Sequence, residues 1–300
     1  MIVFSADTPA GFVSAVALAK GALLPRYRVN CRRAKSIFGA EPQQRACGAL
    51  QKIMGSGDLA GCQSRGYRTR LAYLPGEDTL YLTVKNACFF TPDQAVELHR
   101  RAARLAKETA RRAAALPGDD PERLIRAYQQ TLQAHFAYRQ TGAAADYSAY
   151  HLVMNGHGVC QAFAALTLAV LPRLGISCRC VSGTGGAVGD FGPHAWNLLF
   201  LPGRAPIHAD FTFGLQQPFV PTTATAFGRR VFCATHRWEA DQEVLTGTVS
   251  RPHFRLCLGG RALRSGQVCI YNDRPFTLAE RALLTTSPEA MNFERRRFAV

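Results

Sequence analysis

The sequence has little charge and no regular cysteine pattern. Asp, Glu, Lys and Arg make up only 19% of its 300 residues, whereas 47% are hydrophobic, and this balance excludes a largely disordered chain. Its 10 cysteines form no CxxC pair, which excludes a disulfide-dense scaffold and leaves reduced thiols as the expectation. The sequence also lacks internal repeats and low-complexity tracts. We expect one large domain or two smaller ones around a sizeable core.

The N-terminus lacks the features of a targeting segment. The apolar run from Phe12 to Leu24 follows Asp7, contains Lys20, and has neither a basic region before it nor a small-residue cleavage site. The pattern therefore indicates neither a signal peptide nor a membrane span. The sequence predicts a cytoplasmic protein.

Acidic residues are scarce relative to basic ones. The 36 Lys and Arg residues outnumber the 21 Asp and Glu residues and give a formal net charge of +15. Such a charge is compatible with a nucleic-acid, anionic-surface or acidic-substrate partner. The arginines are spread along the chain, however, and no aromatic platform or nucleic-acid motif accompanies them. Nucleic acid is therefore the least favoured partner.

Residues 1–88 are predicted to form an N-terminal segment of mixed helix and strand. Thr8 or Asp7 is the N-cap, Pro9 is a suitable first helical residue, and the apolar spacing that follows predicts an amphipathic helix ending before Pro25. A short strand is predicted from Arg26 to Cys31. A β-hairpin is predicted over residues 67–86.

Residues 89–248 begin with two predicted helices. Thr91, Pro92 and Gln94 form a capping box that starts a helix running to about Leu116. Its polar face is basic and carries Arg100, Arg101, Arg104, Lys107, Arg111 and Arg112. Such a face either meets phosphates or is solvated, and the second is the more frequent case. The next helix is predicted over about 121–138.

The pattern then predicts a short helix from Ser148 and a second helix from Cys160 to about Gly175, which Pro172 should bend or shorten. Strands are predicted at ISCRCVSG, HAWNLLFL, PIHADFTF and RRVFCA. Residues 249–300 change character, and short strands around Gly-rich turns predict a small C-terminal β-rich extension.

Cys160 is a candidate nucleophile because it is placed at the predicted start of a helix. A free thiol is only slightly ionised at neutral pH. The N–H groups at a helix N-terminus stabilise a thiolate and a later oxyanion. Gly156 and Gly158 leave room for a tight loop and for a substrate backbone. The alternative is a buried cysteine that only packs.

His194 and Asp210 are candidate partners of Cys160. If HAWNLLF and PIHADFTF pair antiparallel about a turn near residue 202, His194 faces Asp210 and Trp196 faces His208. Directly opposed residues have Cβ atoms about 4.5–5.5 Å apart, which lets a carboxylate hold an imidazole. Asp210 would then orient His194, and His194 would deprotonate Cys160 and return the proton to a leaving group.

The motifs GVCQAFA, LGISCRCVSG, HAWN and HADFTFG, in this order, resemble the transglutaminase-like (transglutaminase/protease-like) superfamily, in its bacterial form, over about residues 120–240. The resemblance implies an α+β fold with a papain-like core, in which the helix that bears the nucleophile packs on an antiparallel sheet. It implies a Cys-His-Asp site carried by Cys160, His194 and Asp210. That superfamily includes transamidating enzymes, peptidases, amidases and inactive members.

Five further residues are candidates for the walls of the cleft. By analogy with the family, Tyr150 would supply a hydroxyl and Gln161 its backbone N–H. Gly158 would leave space, Trp196 follows the motif histidine, and His208 is either a second imidazole or a polar wall. Cys178 and Cys180 form a CxC that could bind zinc with His151 or His157, but no second ligand pair has standard spacing. No metal and no cofactor are therefore expected.

Three classes of function follow from these residues. The favoured one is an enzyme that performs cysteine-dependent acyl transfer or hydrolysis on a peptide, isopeptide or glutamine-type amide. The second is a binding or structural module that keeps the transglutaminase-like fold without turnover. The third, a basic nucleic-acid-binding protein, is the weakest. The sequence gives neither the substrate nor the oligomeric state.

Overall fold

A computed structural model describes residues 1–54, 57–187, 190–215 and 221–238 and the short segments 254–256, 262–265, 268–272, 278–279 and 284. The chain divides into two compact units. Unit 1 comprises residues 1–56, 64–96 and 246–300, and unit 2 comprises residues 57–63 and 97–245. A short segment of unit 2 therefore precedes the main part of that unit in the sequence.

Helices and strands alternate irregularly along the chain. The helices are α1 (Pro9–Gly21), α2 (Ala34–Phe38), α3 (Pro42–Met54), α4 (Leu59–Cys62), α5 (Pro92–Ala114), α6 (Asp120–His135), α7 (Ala149–Asn155), α8 (Cys160–Val170) and α9 (Ala226–Thr235). The strands are β1 (Ile2–Ala6), β2 (Arg26–Arg32), β3 (Ser64–Leu74), β4 (Thr79–Cys88), β5 (Ala137–Tyr138), β6 (His157–Gly158), β7 (Ser177–Ala187), β8 (Asp190–Phe200), β9 (Ile207–Ala209), β10 (His236–Arg237), β11 (Phe254–Leu256), β12 (Ala262–Ser265) and β13 (Val268–Asn272).

Unit 1 is built on a mixed sheet. Its seven described strands lie in the order β11-β12-β13-β1-β2-β4-β3. β1 and β2 are parallel and joined by α1, and the other neighbours are antiparallel. Of the two predicted caps of α1, Thr8 is the one used, because its Oγ1 accepts a hydrogen bond from the Gly11 N–H at 3.0 Å, and Pro9 occupies the first helical position. The predicted amphipathic character of α1 is wrong, because consecutive residues such as Leu18, Ala19, Lys20 and Gly21 are all buried.

One face of the sheet in unit 1 is covered and the other is open. In β2 the inward residues Tyr27, Val29 and Cys31 are fully buried and alternate with exposed or half-buried residues. Tyr27 packs edge-on against Phe4. Burial of each such side chain contributes about 1.5–3 kcal/mol to the free energy of unfolding. The period of two in β2 thus separates a core face from an outer face.

Unit 2 combines helices with an antiparallel sheet of order β10-β7-β8-β9.

Two predicted helix ends are present. The capping box predicted for α5 is present, since the Thr91 N–H donates to Gln94 Oε1 and the Gln94 N–H donates to Thr91 Oγ1. α8 ends at Val170, and a turn of 3₁₀ helix follows at Leu171–Leu174, so Pro172 shortens this helix as expected.

The helix that starts at Cys160 lies in the core of unit 2 and packs on β7 and β8. All its residues from Ala162 to Val170 are buried. Asn197 of β8 is also buried, and its Nδ2 donates to the Ala164 carbonyl of α8 at 3.1 Å. The predicted α+β fold, with this helix packed on an antiparallel sheet, is confirmed.

The strand predicted at RRVFCA is wrong, because residues 226–235 form helix α9. Thr225 caps this helix by accepting a hydrogen bond from the Gly228 N–H at 3.0 Å. The buried residues Gly228 and Phe232 are four apart, which is helical spacing. The β-branched and aromatic residues of the segment suggested a strand, and tertiary packing overrides that preference.

In the described part of the chain, no helix has the length and apolar character needed to cross a membrane.

Candidate active site

Cys160 is the first residue of α8. Val159 precedes it as the N-cap residue and offers no side-chain cap, so the N–H groups of the first turn face outward from the helix start. The two-residue strand β6 lies just upstream and pairs parallel with β5, with Tyr138 beside Gly158. This pairing brings the end of α6 and its following strand next to the thiol.

His194 reaches the site from β8. It lies opposite Gly183 of β7, and its ring extends over Gly185, where an added Cβ would lie 2.7 Å from the His194 Cδ2. A side chain at position 185 would therefore displace the imidazole. Gly185 has a direct steric role in placing the imidazole.

Asp210 follows the last residue of β9. The observed β8–β9 register pairs Leu198 with His208 and Leu199 with Ile207, so the predicted register, with Trp196 facing His208 and His194 facing Asp210, is wrong by two residues. A shift of two keeps every side chain on its original face. For that reason Asp210 still reaches His194, although it does so from beyond the end of the ladder.

The Asp210 carboxylate accepts hydrogen bonds at both oxygens. Oδ2 lies 2.5 Å from His194 Nε2 and 2.9 Å from His236 Nε2. Oδ1 accepts from the Thr212 hydroxyl at 2.5 Å, from the Thr212 N–H at 2.8 Å and from the Phe213 N–H at 3.3 Å. Asp210 is only 1% exposed. This buried charge is fully hydrogen-bonded, as a buried carboxylate must be.

Because Nε2 of His194 faces Asp210, Nδ1 is the ring nitrogen left for the thiol. The Cys160 thiol lies beside the His194 ring and the Ala195 N–H, and both stabilise its ionised form. Burial by itself would raise the pKa of the Cys160 thiol, but the hydrogen bond and the charge of His194 outweigh it, and the pKa lies below its ordinary value. The arrangement therefore favours the thiolate.

The two partners of Cys160 are shifted in the complementary directions. Burial opposes the charged form of His194, yet its hydrogen bonds to Asp210 and Cys160 raise its pKa to about 10. Burial likewise opposes the charged form of Asp210, yet hydrogen bonds from His194, His236 and Thr212 hold the pKa of that carboxyl well below its ordinary range. The three groups favour a thiolate, an imidazolium and a carboxylate.

Aromatic rings hold the imidazoles in place. Trp196 stacks on His194, with ring centroids 5.9 Å apart. Phe232 of α9 stacks on His236, with ring centroids 3.9 Å apart and an interplanar angle of 13°. Trp196, Phe232, Val181 and Leu198 form one buried cluster beneath the site. The imidazoles thus have little rotational freedom.

The structure gives different positions to the predicted lining residues. Trp196 and His208 are buried, and the Trp196 Nε1 donates to His208 Nδ1 at 2.9 Å. They support the His194 ring from below.

The other predicted lining residues lie elsewhere around α7 and α8. Tyr150 is half-buried on α7 against His151. Gly158 is buried beside α8, where an added Cβ would lie 3.0 Å from the Asp146 carbonyl oxygen. The Gln161 amide donates to the Cys62 carbonyl at 2.6 Å.

Sequence reasoning missed three residues of this site. Thr212 was signalled by its position two residues after Asp210, where hydroxyls often bond a carboxylate in a turn. Tyr138 lies beside the backbone and the thiol of Cys160 and is 44% exposed. His236 follows α9, 26 residues after Asp210, and no local pattern links the two. Both depend on tertiary packing.

His194, Asp210 and His236 each place one potential ligand atom within 4.8 Å of the others, and this is the set in the described chain that could hold a metal ion. The CxC suggested as a zinc site is engaged otherwise. The Cys178 thiol points to the Thr167 carbonyl. The Cys180 sulfur lies 3.5 Å from that of Cys62.

Residues 107–211 match the model of the transglutaminase-like superfamily, which confirms the resemblance stated above and supports a general cysteine-type catalytic family. Cys160, His194 and Asp210 all lie inside the matched range. His236 lies outside it. No curated protein sequence matches the chain.

The solved structures that are similar to the chain include the following two. One, described as "Crystal structure of a TGase", is 14% identical, with 62% of this chain and 51% of that chain covered and a TM-score of 0.33. The other, "The Crystal Structure of a Putative Cysteine Protease from Cytophaga hutchinsonii", is 13% identical, with 71% of this chain and 78% of that chain covered and a TM-score of 0.32. The chain thus spans about half the length of the first. Both TM-scores lie below 0.5, so the class of residues 107–211 comes from the family model.

Proposed function

We propose that the protein is a cysteine-dependent acyltransferase or amide hydrolase that acts on a peptide, isopeptide or glutamine-type amide. The observation that carries this proposal is the placement of three groups in sequence: the His194 ring lowers the pKa of the Cys160 thiol beside it, and its Nε2 lies 2.5 Å from Asp210 Oδ2. A thiol that only packs in a core needs no imidazole partner. An imidazole held on its far nitrogen by a buried carboxylate is the arrangement that nucleophilic catalysis requires.

In the proposed first step the Cys160 thiolate attacks the amide carbonyl and forms the S–C bond. The His194 imidazolium gives its proton to the amide nitrogen, the C–N bond breaks, and an amine or ammonia leaves. A thioester on Cys160 and a neutral His194 remain. Asp210 supports this step because it stabilises the imidazolium and fixes the ring orientation.

In the second step water or a primary amine attacks the thioester. Neutral His194 accepts the proton of the attacking group, the C–S bond breaks, and the Cys160 thiolate and the imidazolium are restored. Water yields the acid, and an amine yields a new amide. Both outcomes use the same protein groups, so the nature of the second substrate determines which reaction occurs.

The start of α8 supplies support for the oxyanion. The Cys160 N–H lies at the positive end of this helix, and the N–H groups of a first turn stabilise developing negative charge. The Tyr138 side chain lies close to Cys160. Tyr138 is 44% exposed, so its O–H can act as a second donor to the carbonyl oxygen of a substrate.

The test begins with the thiol itself. At pH 6 an ordinary thiol with a pKa near 8.5 is less than about 1% ionised, whereas Cys160 should react quickly with iodoacetamide. Mass spectrometry of the alkylated peptides should find Cys160 labelled first. Cys160→Ala should remove that fast phase. Cys47→Ala, which removes an exposed thiol outside the site, should leave it unchanged. Equal labelling of Cys160 and Cys47 would contradict an activated thiolate.

The second stage asks for turnover. The protein is incubated with activated esters and with glutamine-containing peptides, with and without a fluorescent primary amine. An acyl adduct on Cys160 supports the proposed chemistry, and the ratio of acid to amine product assigns its direction. A folded protein with fast Cys160 alkylation but no adduct across this set would favour a binding module over an enzyme.

A further inference from the structure

The outer face of the sheet in unit 1 concentrates positive charge. Along β2 the outward positions alternate with the buried ones and carry Arg26, Arg28, Asn30 and Arg32. Across the sheet, Lys85 of β4 stands between Arg26 and Arg68, and Thr83 of β4 stands between Arg28 and Arg70. Basic side chains therefore occupy two successive cross-strand rows. We call the set Arg26, Arg28, Arg68, Arg70 and Lys85 the basic sheet face.

A cavity of about 350 Å³ opens on this face. Its basic side is formed by Arg28 and Arg70, and the remaining lining residues are Ala72, Leu74, Tyr81 and Thr83. Leu74 is 43% exposed. The cavity thus combines two guanidinium groups with an apolar wall, in the size range of pockets that hold small ligands or single side chains.

The cations of this cavity lack acidic partners. Among the described residues neither Arg28 nor Arg70 forms an ion pair, and the Arg28 Nε is buried without a hydrogen bond. Glu77 accepts the Tyr81 hydroxyl at 2.6 Å, and Asp78 accepts the Tyr73 hydroxyl at 2.9 Å, but in the described chain neither acid forms an ion pair with Arg28 or Arg70. Guanidinium groups without an acidic partner on one surface favour the binding of an anion.

The basic helix that first suggested an anionic partner differs from this face. On α5, Glu97 pairs with Arg100 and with Arg101 at 2.8 and 2.9 Å, and Glu108 pairs with Arg112 at 2.8 Å. Much of the positive charge of α5 is therefore neutralised within the helix. In the described chain, the cations that line a cavity and lack an acidic partner are Arg28 and Arg70, which lie on the sheet of unit 1.

We propose that the basic sheet face binds an acidic segment of a polypeptide. An Asp or Glu carboxylate of the partner takes bidentate hydrogen bonds from Arg28 or Arg70. An apolar side chain of the same segment packs on Ala72 and Leu74. The proposal rests on unit 1 alone and is independent of the proposed catalytic function.

Two observations favour a polypeptide over a nucleic acid. Tyr81 is the aromatic residue among those that line the cavity, and its ring faces Arg28, whose Cζ lies 6.0 Å from the ring centroid, so the cavity lining offers no open ring on which a base could stack. The apolar wall of Ala72 and Leu74 suits a side chain better than a phosphate.

The test measures binding of a fluorescent peptide in which Glu alternates with Leu, by anisotropy, to the full chain at about 50 mM salt, where charge contacts are strong. The same peptide with Gln in place of Glu should bind at least about tenfold more weakly. The double variant R28Q/R70Q should lose about tenfold or more in affinity. The matched variant K107Q/R111Q, which removes two charges from the exposed face of α5, should stay within about twofold of wild type.

A second pair of substitutions separates charge from geometry. R28K/R70K keeps both charges but loses the bidentate fork, so its affinity should fall between wild type and R28Q/R70Q. Thermal unfolding shows whether each variant keeps the fold. If R28Q/R70Q does not fold, the affinity of R28K/R70K for the peptide still tests whether the guanidinium groups bind it.

Three results would overturn the proposal. The first is equal binding by wild type and R28Q/R70Q, and the second is an equal loss in K107Q/R111Q. The third is tighter binding of a labelled oligothymidylate than of the acidic peptide, with R28Q/R70Q weakening the oligonucleotide, which would assign the face to single-stranded nucleic acid.

Discussion

The candidate active site of unit 2 and the basic sheet face of unit 1 differ in how their charged groups are paired. In unit 2 the charged groups are buried and paired, so that Asp210 alone accepts five hydrogen bonds. In unit 1 the cations around the cavity are exposed or half-buried and have no acidic partner among the described residues.

This difference indicates what each region can do. A buried charge is stable only when it is paired, and the pairing shifts pKa values and fixes geometry, which are the requirements of catalysis. An unpaired surface charge remains available to a binding partner. Net charge alone, at +15, could not separate the two. The paired charges of unit 2 should therefore respond to substitution and to pH differently from the unpaired charges of the sheet face.

The largest effect is expected for Asp210→Asn. The amide cannot stabilise the imidazolium of His194 and can present an N–H where the ring needs an acceptor. By analogy with the carboxylate of a catalytic triad, turnover should fall by about 10³–10⁴-fold. The measurement is the rate of acyl-adduct formation on Cys160 by mass spectrometry.

Asp119→Asn is the matched control, because Asp119 is an exposed carboxylate that pairs with Arg204. It should leave the acylation rate within about twofold. If Asp210→Asn acylates as fast as Asp119→Asn, the carboxylate has no role in activating the thiol.

The pH dependence of Cys160 should be the next largest effect. Because the pKa of its thiol lies below the ordinary value, alkylation at pH 6 should exceed that of an ordinary thiol by a factor on the order of 100. Turnover should then fall as the pH rises through about 10, where His194 loses the proton that the leaving group needs. Alkylation should persist there, since the thiolate remains. A Cys160 profile that follows that of Cys47 would contradict the pairing.

The same pairing links stability to pH. The raised pKa of His194 contributes to the free energy of unfolding fully below its ordinary value of 6.5, and this contribution is lost as the pH rises through about 10. The lowered pKa of Asp210 contributes above its ordinary value of 3.8 and is lost as the pH falls below it. Urea unfolding of the wild type should therefore show a loss of stability at both extremes.

A smaller effect is expected for His236→Phe. Phenylalanine keeps the stacking on Phe232 but removes one of the two imidazoles from Asp210. Because a hydrogen bond to a charged group is worth about 1.5–3 kcal/mol, the free energy of unfolding should fall by about that amount and Cys160 alkylation at pH 6 by about tenfold.

His135→Phe provides the comparison, since His135 is an exposed histidine of α6 that contacts Glu108. It should change neither quantity by more than a small fraction of the His236 effect. Equal changes in both variants would reduce His236 to a residue of general packing.

The smallest effect is expected for Gln161→Ala. This variant removes the side-chain bond to the Cys62 carbonyl but keeps the backbone N–H that the sequence suggested as the functional group. The free energy of unfolding should fall by about 1 kcal/mol, and the Cys160 alkylation rate should stay within about threefold. A loss of alkylation comparable to that of Asp210→Asn would move Gln161 into the catalytic group.

The sequence predicted the elements that local chemistry specifies. The Thr8 cap, the box of Thr91 and Gln94, and the shortening of α8 at Pro172 each depend on neighbours within a few residues. The superfamily motifs added the order of Cys160, His194 and Asp210. The β8–β9 register was missed by two residues because the Pro202-Gly203 turn signal does not fix the length of the connection, whose observed centre is residue 203 rather than 202.

Long-range packing accounts for the other omissions. His236 meets Asp210 because α9 packs against Trp196. Residues 229–234 of α9 were predicted to form a strand. Tyr138 reaches Cys160 through the pairing of β5 with β6, and both strands are only two residues long. The basic sheet face could not be predicted without the order of the strands, because its arginines come from β2 and β3. These two strands are separated in the sequence by three helices.

The contact between Gln161 and Cys62 also bears on how the protein folds. Residues 57–63 are synthesised about 100 residues before the helix they support, because Cys62 and Gln161 are 99 positions apart. Gln63 similarly caps the start of α7, with its Oε1 accepting from the Ala149 N–H at 2.8 Å. This early segment must stay unpaired on the nascent chain until α7 and α8 emerge, which makes closure of a long loop a late and slow step. A truncated chain beginning at residue 97 would lack that segment and would leave the start of both helices incomplete.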